Sequence, residues 1–244
     1  MRRLTIDQGN TNTKWATFSG KEILGHGRLR GLTLQKLRAL VKKQNAQYVI
    51  LSSTKHLTKS MVSYFVEHEN HYILSEKLQF PFVINYETPS TLGKDRVAAI
   101  AGAWSLFPSQ NSLVIDAGSC VTYDLITAEG LYLGGNISPG VYMRLKAMHE
   151  FTSMLPLVKP DDQVLDMGID TTTALQVGAQ VGAAYEMAGF IDQYLEKLNK
   201  LNILLTGGDA HFFVNRMKTK IFTSPHLILQ GLNEILEYNV QKLS

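Results

Sequence analysis

Two short stretches of this chain carry residue types and spacing that could do chemistry. Asp7-Gln8-Gly9-Asn10-Thr11 follows the apolar run Leu4 to Ile6, and Asp116-Ala117-Gly118-Ser119 follows Leu113-Val114-Ile115. Each reads as a strand that ends in a tight turn. A glycine there lets the main chain come close to a ligand, the neighbouring amide or hydroxyl donates hydrogen bonds, and successive backbone N–H groups form a cradle for an anion. Phosphate is the guest that such a cradle fits. The aspartate opening each turn repels phosphate, so its part is to hold a cation or a metal-bound water that neutralises a polyphosphate. Two such turns point to one nucleotide held between two halves.

Those turns need strands to carry them. From Arg3 to about His26, short strand-like segments with turn signals at Gly9-Asn10 and Ser19-Gly20-Lys21 predict three antiparallel strands in a meander. Leu34, Leu37, Leu40 and Val41 then recur at helical spacing. Tyr48 to Leu51 reads as a buried strand, Met61, Tyr64 and Phe65 as a helix face, and Tyr72 to Leu74 as a further strand. A loop from Asn85 to Leu92 leads into a helix from Gly93 to Leu106, and Pro108-Ser109-Gln110-Asn111-Ser112 marks a boundary. The second half opens as the first did, with strands at Leu113 to Ile115, Thr122 to Ile126 and Leu131 to Asn136. A helix after Pro139 through Met148, a loop from Pro156 to Asp170 and a long helix from about Thr172 to Leu198 follow. Leu201 to Leu205 then delivers Thr206-Gly207-Gly208-Asp209, and a helix from Gly231 to Val240 closes the chain. This order predicts α/β architecture, sheets covered by helices, in two similar halves at 1–110 and 111–244.

With 244 residues, 45% of them hydrophobic, the chain can bury a sizeable core. A net charge of +3 is too mild to argue for a nucleic-acid partner, and Arg2-Arg3, Arg28-x-Arg30 and Lys42-Lys43 read as solvated faces. The single cysteine, Cys120, excludes an intrachain disulfide, fits a reducing compartment and reads as a small core hydrophobe. The amino terminus meets Asp7 before a long apolar segment develops, and no run is long enough to span a membrane, so the expected location is the cytoplasm. His68, His71 and His149 lack ligand spacing and take no metal role.

The ordered set Asp7-x-Gly9-Asn10-Thr11-x-x-Lys14, Gly93-x-Asp95-Arg96, Asp116-Ala117-Gly118-Ser119, Gly134-Gly135-x-Ile137-x-Pro139-Gly140, Leu155-Pro156 and Thr206-Gly207-Gly208 resembles the type III pantothenate kinases, almost end to end. These belong to the acetate and sugar kinase, Hsp70 and actin superfamily. The resemblance implies a duplicated ribonuclease-H-like (actin-like ATPase) fold with the nucleotide in the cleft between halves. It further implies ATP as donor, pantothenate as acceptor, Mg²⁺, a monovalent cation (K⁺ or NH₄⁺) and a homodimer.

Carried over residue by residue, the resemblance implies Asp95 as the base that readies the acceptor hydroxyl. ATP binding falls to Asp7, Gln8, Gly9, Asn10, Thr11, Asn12, Thr13, Lys14 and Ser119, the last standing where the family usually has threonine. Asp7 would hold Mg²⁺ through water and Asp116 the monovalent cation, while Tyr86, Gly93, Lys94, Asp95, Arg96 and Thr171 would line the pantothenate pocket. Gly207 and Gly208 would approach the adenosine portion. Read without the resemblance, Asp95 is equally a helix-start carboxylate, Arg96 a surface ion pair, Gly9-Asn10 a plain hairpin turn and Lys14 a solvent-facing strand lysine. Thr171, Thr172 and Thr173 are consecutive, and any of them could cap the helix that follows. Gly178, Gly182 and Gly189 on the long helix read as sites of close packing, including packing across a dimer. The competing functions are a sugar kinase of the same superfamily and a non-catalytic nucleotide-binding regulator; the joint presence of Asp95, Arg96, Asp116 and the Gly9-Asn10-Thr11 turn argues against the latter.

Overall fold

The computed structural model describes residues 1–9, 12–198 and 200–242. In chain order its elements are β1 (Arg2–Gln8), β2 (Thr13–Ser19), β3 (Glu22–Leu29), α1 (Leu34–Gln44), β4 (Tyr48–Ser53), α2 (Lys59–Val66), β5 (His71–Ile73), β6 (Val83–Ile84), α3 (Lys94–Leu106) and β7 (Ser112–Ala117). Then come β8 (Cys120–Ile126), β9 (Leu131–Pro139), α4 (Val141–Glu150), α5 (Thr171–Lys197), β10 (Asn202–Thr206), α6 (Ala210–Val214), β11 (Phe222–Thr223) and α7 (Leu227–Lys242). They form two compact units: 1–108 with 129–133 and 226–244, and 109–128 with 134–225.

In the first unit the sheet runs β3-β2-β1-β4-β5. β1 to β3 form the predicted antiparallel meander, and β4 and β5 add on in parallel. Strand alternation sends Leu4 and Ile6 to one face, where they pack with Val49 and Leu51 against Leu37 and Leu40 of α1 and Met61 and Phe65 of α2. The helices form because their ends are satisfied: Thr33 accepts the Lys36 N–H at 3.3 Å at the start of α1, and Thr58 does the same for Met61 in α2. The other face of the sheet meets α7. There Arg3 is 3% exposed, donates to the Gly20 carbonyl at 2.7 Å and pairs with Glu237 at 3.1 Å. The solvated-face reading of Arg2-Arg3 is thus wrong for Arg3, because a helix from the far end of the chain supplies the carboxylate.

In the second sheet β7 and β8 are antiparallel, while β10 lies parallel to β7 and β11 to β10, giving the order β11-β10-β7-β8-β9, with the two-residue β6 parallel to the start of β9. That order repeats the first sheet strand for strand. Its core joins Ile115, Val121, Tyr123, Leu175, Met187 and Leu205. Cys120 stands half-buried at the start of β8 and outside this core, contrary to the expectation for it. β6, β11 and α6 are too short to leave a periodic pattern. α7 starts at Leu227, four residues before the expected Gly231. Gly231 is interior: a Cβ there would collide with the Ala98 carbonyl, so the glycine serves the close crossing of α3 and not a helix start.

Candidate active site

In the first unit β1 delivers Asp7 and Gln8 as its last two residues, 7% and 8% exposed. Gln8 is held by its neighbour strand: its Oε1 accepts from Ser53 Oγ at 3.0 Å, and its carbonyl accepts from the Thr54 N–H at 3.1 Å. The Gly9 N–H donates to the Asn12 carbonyl at 3.1 Å and closes the turn, whose Asn10 and Thr11 lie outside the described residues. Asn12 is exposed, Thr13 is buried, and Lys14 is half-buried directly across the strand pair from Asp7. Asp7, Gln8, Gly9 and Lys14 therefore sit together at one strand end.

The first turn of α3 carries the proposed acceptor residues. Gly93 is its N-cap without a side chain to offer, and Asp95 at the second helical position accepts the Arg96 N–H on its Oδ1 at 2.9 Å. Arg96 is 5% exposed, with its guanidinium carbon 5.8 Å from the centre of the Tyr86 ring. Behind Tyr86 stands the buried ring of Tyr132, at 6.3 Å and 25°. The structure thus gathers Tyr86, Gly93, Asp95 and Arg96, and adds Tyr132, whose position on β9 gave no signal in the sequence. Lys94 lines a cavity of about 460 Å³, walled by Leu74, Phe80, Leu92, Val97 and Tyr238, whose lining does not include Asp95, Arg96 or Tyr86.

In the second unit three separated motifs converge on one turn. Asp116, half-buried near the end of β7, lies in register with Thr206 of β10. The Gly118 N–H donates to the Cys120 carbonyl at 2.9 Å, and the Gly140 N–H at the start of α4 donates to the Ser119 carbonyl at 3.2 Å. Ser119 itself is exposed. Gly207 has φ of +101°, and a side chain there would strike the Ala117 carbonyl, which also accepts the Asp209 N–H at 2.9 Å. Burial raises the Asp209 carboxyl above its ordinary range, against the opposing pull of His211.

At the start of α5 the cap is Asp170, which accepts the Thr173 N–H at 2.8 Å while Thr173 Oγ1 accepts the Asp170 N–H at 3.1 Å. These hydrogen bonds hold the Asp170 carboxyl below the usual carboxylate value. Capping is accomplished without Thr171, which is exposed as the first helical residue. Gly178, Gly182 and Gly189 have nothing within 4 Å of where a Cβ would stand, so the close packing expected of them does not occur within this chain.

The sequence pattern of the family described as type III pantothenate kinase matches residues 3–195. A type III pantothenate kinase from Bacteroides fragilis is 40% identical over 237 residues, covering 97% of this chain and 98% of its own. Among solved structures, a Campylobacter jejuni protein described as a Baf family transcriptional activator superposes with a TM-score of 0.62 at 21% identity, over 98% of this chain and 99% of that one. A glucokinase from an Antarctic psychrotroph gives 0.52 at 12% identity, over 97% and 99%. With its strand order stated twice, the fold is the duplicated ribonuclease-H-like fold of the actin-like ATPases and sugar kinases. By sequence pattern and by identity over nearly its whole length, the chain belongs to the type III pantothenate kinases.

Proposed function

We propose that Asp95 is the base of the reaction and that the two Asp-opened turns hold the nucleotide and its cations. The protein phosphorylates pantothenate at the expense of ATP, giving 4'-phosphopantothenate, the first step of coenzyme A synthesis. The observation that carries the assignment is the grouping of Asp95, Arg96 and Tyr86 at one helix start. Phosphoryl transfer asks for positioning, charge neutralisation and a group to take the acceptor proton. Asp95 would accept that proton from the primary hydroxyl, Arg96 would pair with the pantothenate carboxylate, and Tyr86 would hold the guanidinium plane. Thr171 is the fourth contact and Lys94 a peripheral one.

Asn10, Thr11, Asn12, Thr13, Lys14 and Ser119 would donate to the ATP phosphates, and Gly207 and Gly208 would border the adenosine. Among the described residues no three His, Cys, Asp or Glu side chains converge on a metal position. One carboxylate per site suits hard cations that complete their shell with water and phosphate oxygens, so Asp7 would hold Mg²⁺ through water and Asp116 would hold K⁺ or NH₄⁺. Bound there, the cations would neutralise the charge of the transferring phosphoryl group. We assign the duplicated halves along the sequence to 1–110 and 111–244, although 129–133 and 226–244 of the second half belong to the first compact unit. No helix among the described residues is long and apolar enough to cross a membrane, and we place the enzyme in the cytoplasm.

A homodimer fits the surface of the second unit, where Phe151, Met154, Met167 and Ile169 are 86%, 90%, 75% and 78% exposed and the open glycines of α5 await a partner. Light scattering should give twice the 27.2 kDa chain mass, and a monomer at micromolar concentration would refute the dimer. For the reaction, ADP release is measured with pantothenate or with a panel of hexoses, in K⁺ or Na⁺. Turnover confined to pantothenate and higher in K⁺ is expected; turnover on a hexose would favour the sugar-kinase alternative.

A further inference from the structure

Around Lys14 in the first unit lie three further basic residues, His26, Arg28 and His226, that have no part in the roles above. The rings of His26 on β3 and His226, the residue before α7, lie with centroids 4.4 Å apart at 44°. Arg28 is in register with Lys14 and His26 with Ala16, so alternation puts Lys14, His26 and Arg28 on one face of the meander. It is the face that α7 covers, as the contact of Arg3 with Glu237 shows. Burial lowers the affinity of the His226 ring for a proton, and His26, Lys14 and Arg28 lower it further. The first turn of α7 has no acid, and directly across the strand pair from Lys14 stands the carboxylate of Asp7.

The His226 ring, tilted against that of His26 beside a lysine and an arginine, resists protonation unless an anion joins them. We infer that Lys14, His26, Arg28 and His226 form one binding site for phosphate oxygens, resting on the role proposed above for Lys14 and extending that grip to two histidines and an arginine. The guanidinium and ammonium donate charge-assisted hydrogen bonds, and His226 takes a proton from solvent as the anion arrives. The anion is the tail of the nucleotide or a free pyrophosphate, and the test separates these sources.

Histidine-labelled protein is titrated by NMR over roughly pH 5 to 8, the span in which imidazole changes charge. It is measured alone, with pyrophosphate, and with a non-hydrolysable ATP analogue whose affinity is followed by calorimetry. His226 should titrate below the ordinary 6.5 when free. Its midpoint should rise by about one unit or more with the analogue, as expected when an opposite charge comes within a few ångströms. His26→Asn and Arg28→Gln, both at exposed positions, should halve that rise and weaken binding about tenfold, the loss of one charge-assisted bond. If the analogue saturates the protein while the His226 midpoint stays put and both variants bind as wild type does, the site is refuted and the ATP reading of the turn stands. If pyrophosphate moves His226 but the analogue does not bind, the phosphate site stands and the ATP reading falls. If neither binds, both fall.

Discussion

Asp95 commits one oxygen to the N–H of Arg96 at 2.9 Å, and this ties the carboxylate to the helix start beside Tyr86. Asp95→Asn preserves that bond and removes the basic oxygen. Turnover in an ADP-release assay should fall by about 10²- to 10⁴-fold, the usual worth of a general base, while calorimetric ATP affinity stays near wild type. Near wild-type turnover would dismiss Asp95 as the base. A second residue-scale consequence concerns His71, far from the chemistry in sequence. Burial, with a smaller push from the stacked His68, brings its pKa from 6.5 down to about 4. The unfolded chain therefore binds more protons between those values. Stability contributed by the neutral ring is complete above pH 6.5 and is lost as the pH falls toward 4. The urea midpoint should drop across that window, and His71→Asn should flatten the slope; an unchanged slope would mean that other groups set it.

At the scale of elements, the second turn is built by contacts that run between elements. Gly140 at the start of α4 and Gly207 after β10 both press main chain against the Asp116 to Ser119 turn, where a Cβ would collide. The α3–α7 crossing uses the same device at Gly231, against the Ala98 carbonyl and the Gly102 N–H. Because these obstacles are backbone and cannot swing aside, Gly231→Ala should destabilise the protein by about 1–3 kcal/mol, the cost of overpacking. A denaturant midpoint equal to wild type would show that the two helices can separate without loss. Sequence periodicity found α3, α5 and the strands β4, β5, β7, β8 and β10 to within one or two residues. It misplaced the start of α7 because a glycine inside a helix looks locally like a beginning.

For the whole molecule, the last segment of the chain completes the first compact unit. Leu227, Leu229, Leu232, Ile235 and Leu236 of α7 are each no more than 2% exposed. At about 2 kcal/mol per buried side chain they contribute on the order of 10 kcal/mol, as much as the net stability of a typical protein. Removing residues 226–244 should therefore abolish the cooperative thermal unfolding of the first unit followed by tryptophan fluorescence, since Trp15 and Trp104 both lie in that unit; a sharp fluorescence transition would show that the first unit stands without α7. The sequence by itself determined the two Asp-opened turns, the similar run of strands that opens each half and the Gly93 to Arg96 segment, because each depends on neighbours a few residues apart, whereas the pairing of β1 with β4 and of β7 with β10 joins strands far apart in the chain. Tertiary structure alone decided that Arg3 is buried on Glu237, that Tyr132 backs Tyr86, that Asp170 caps α5 in place of a threonine, and that His26 meets His226. Three of these four join residues far apart in the chain, and the choice of cap turned on main-chain angles that a run of equivalent hydroxyls does not reveal.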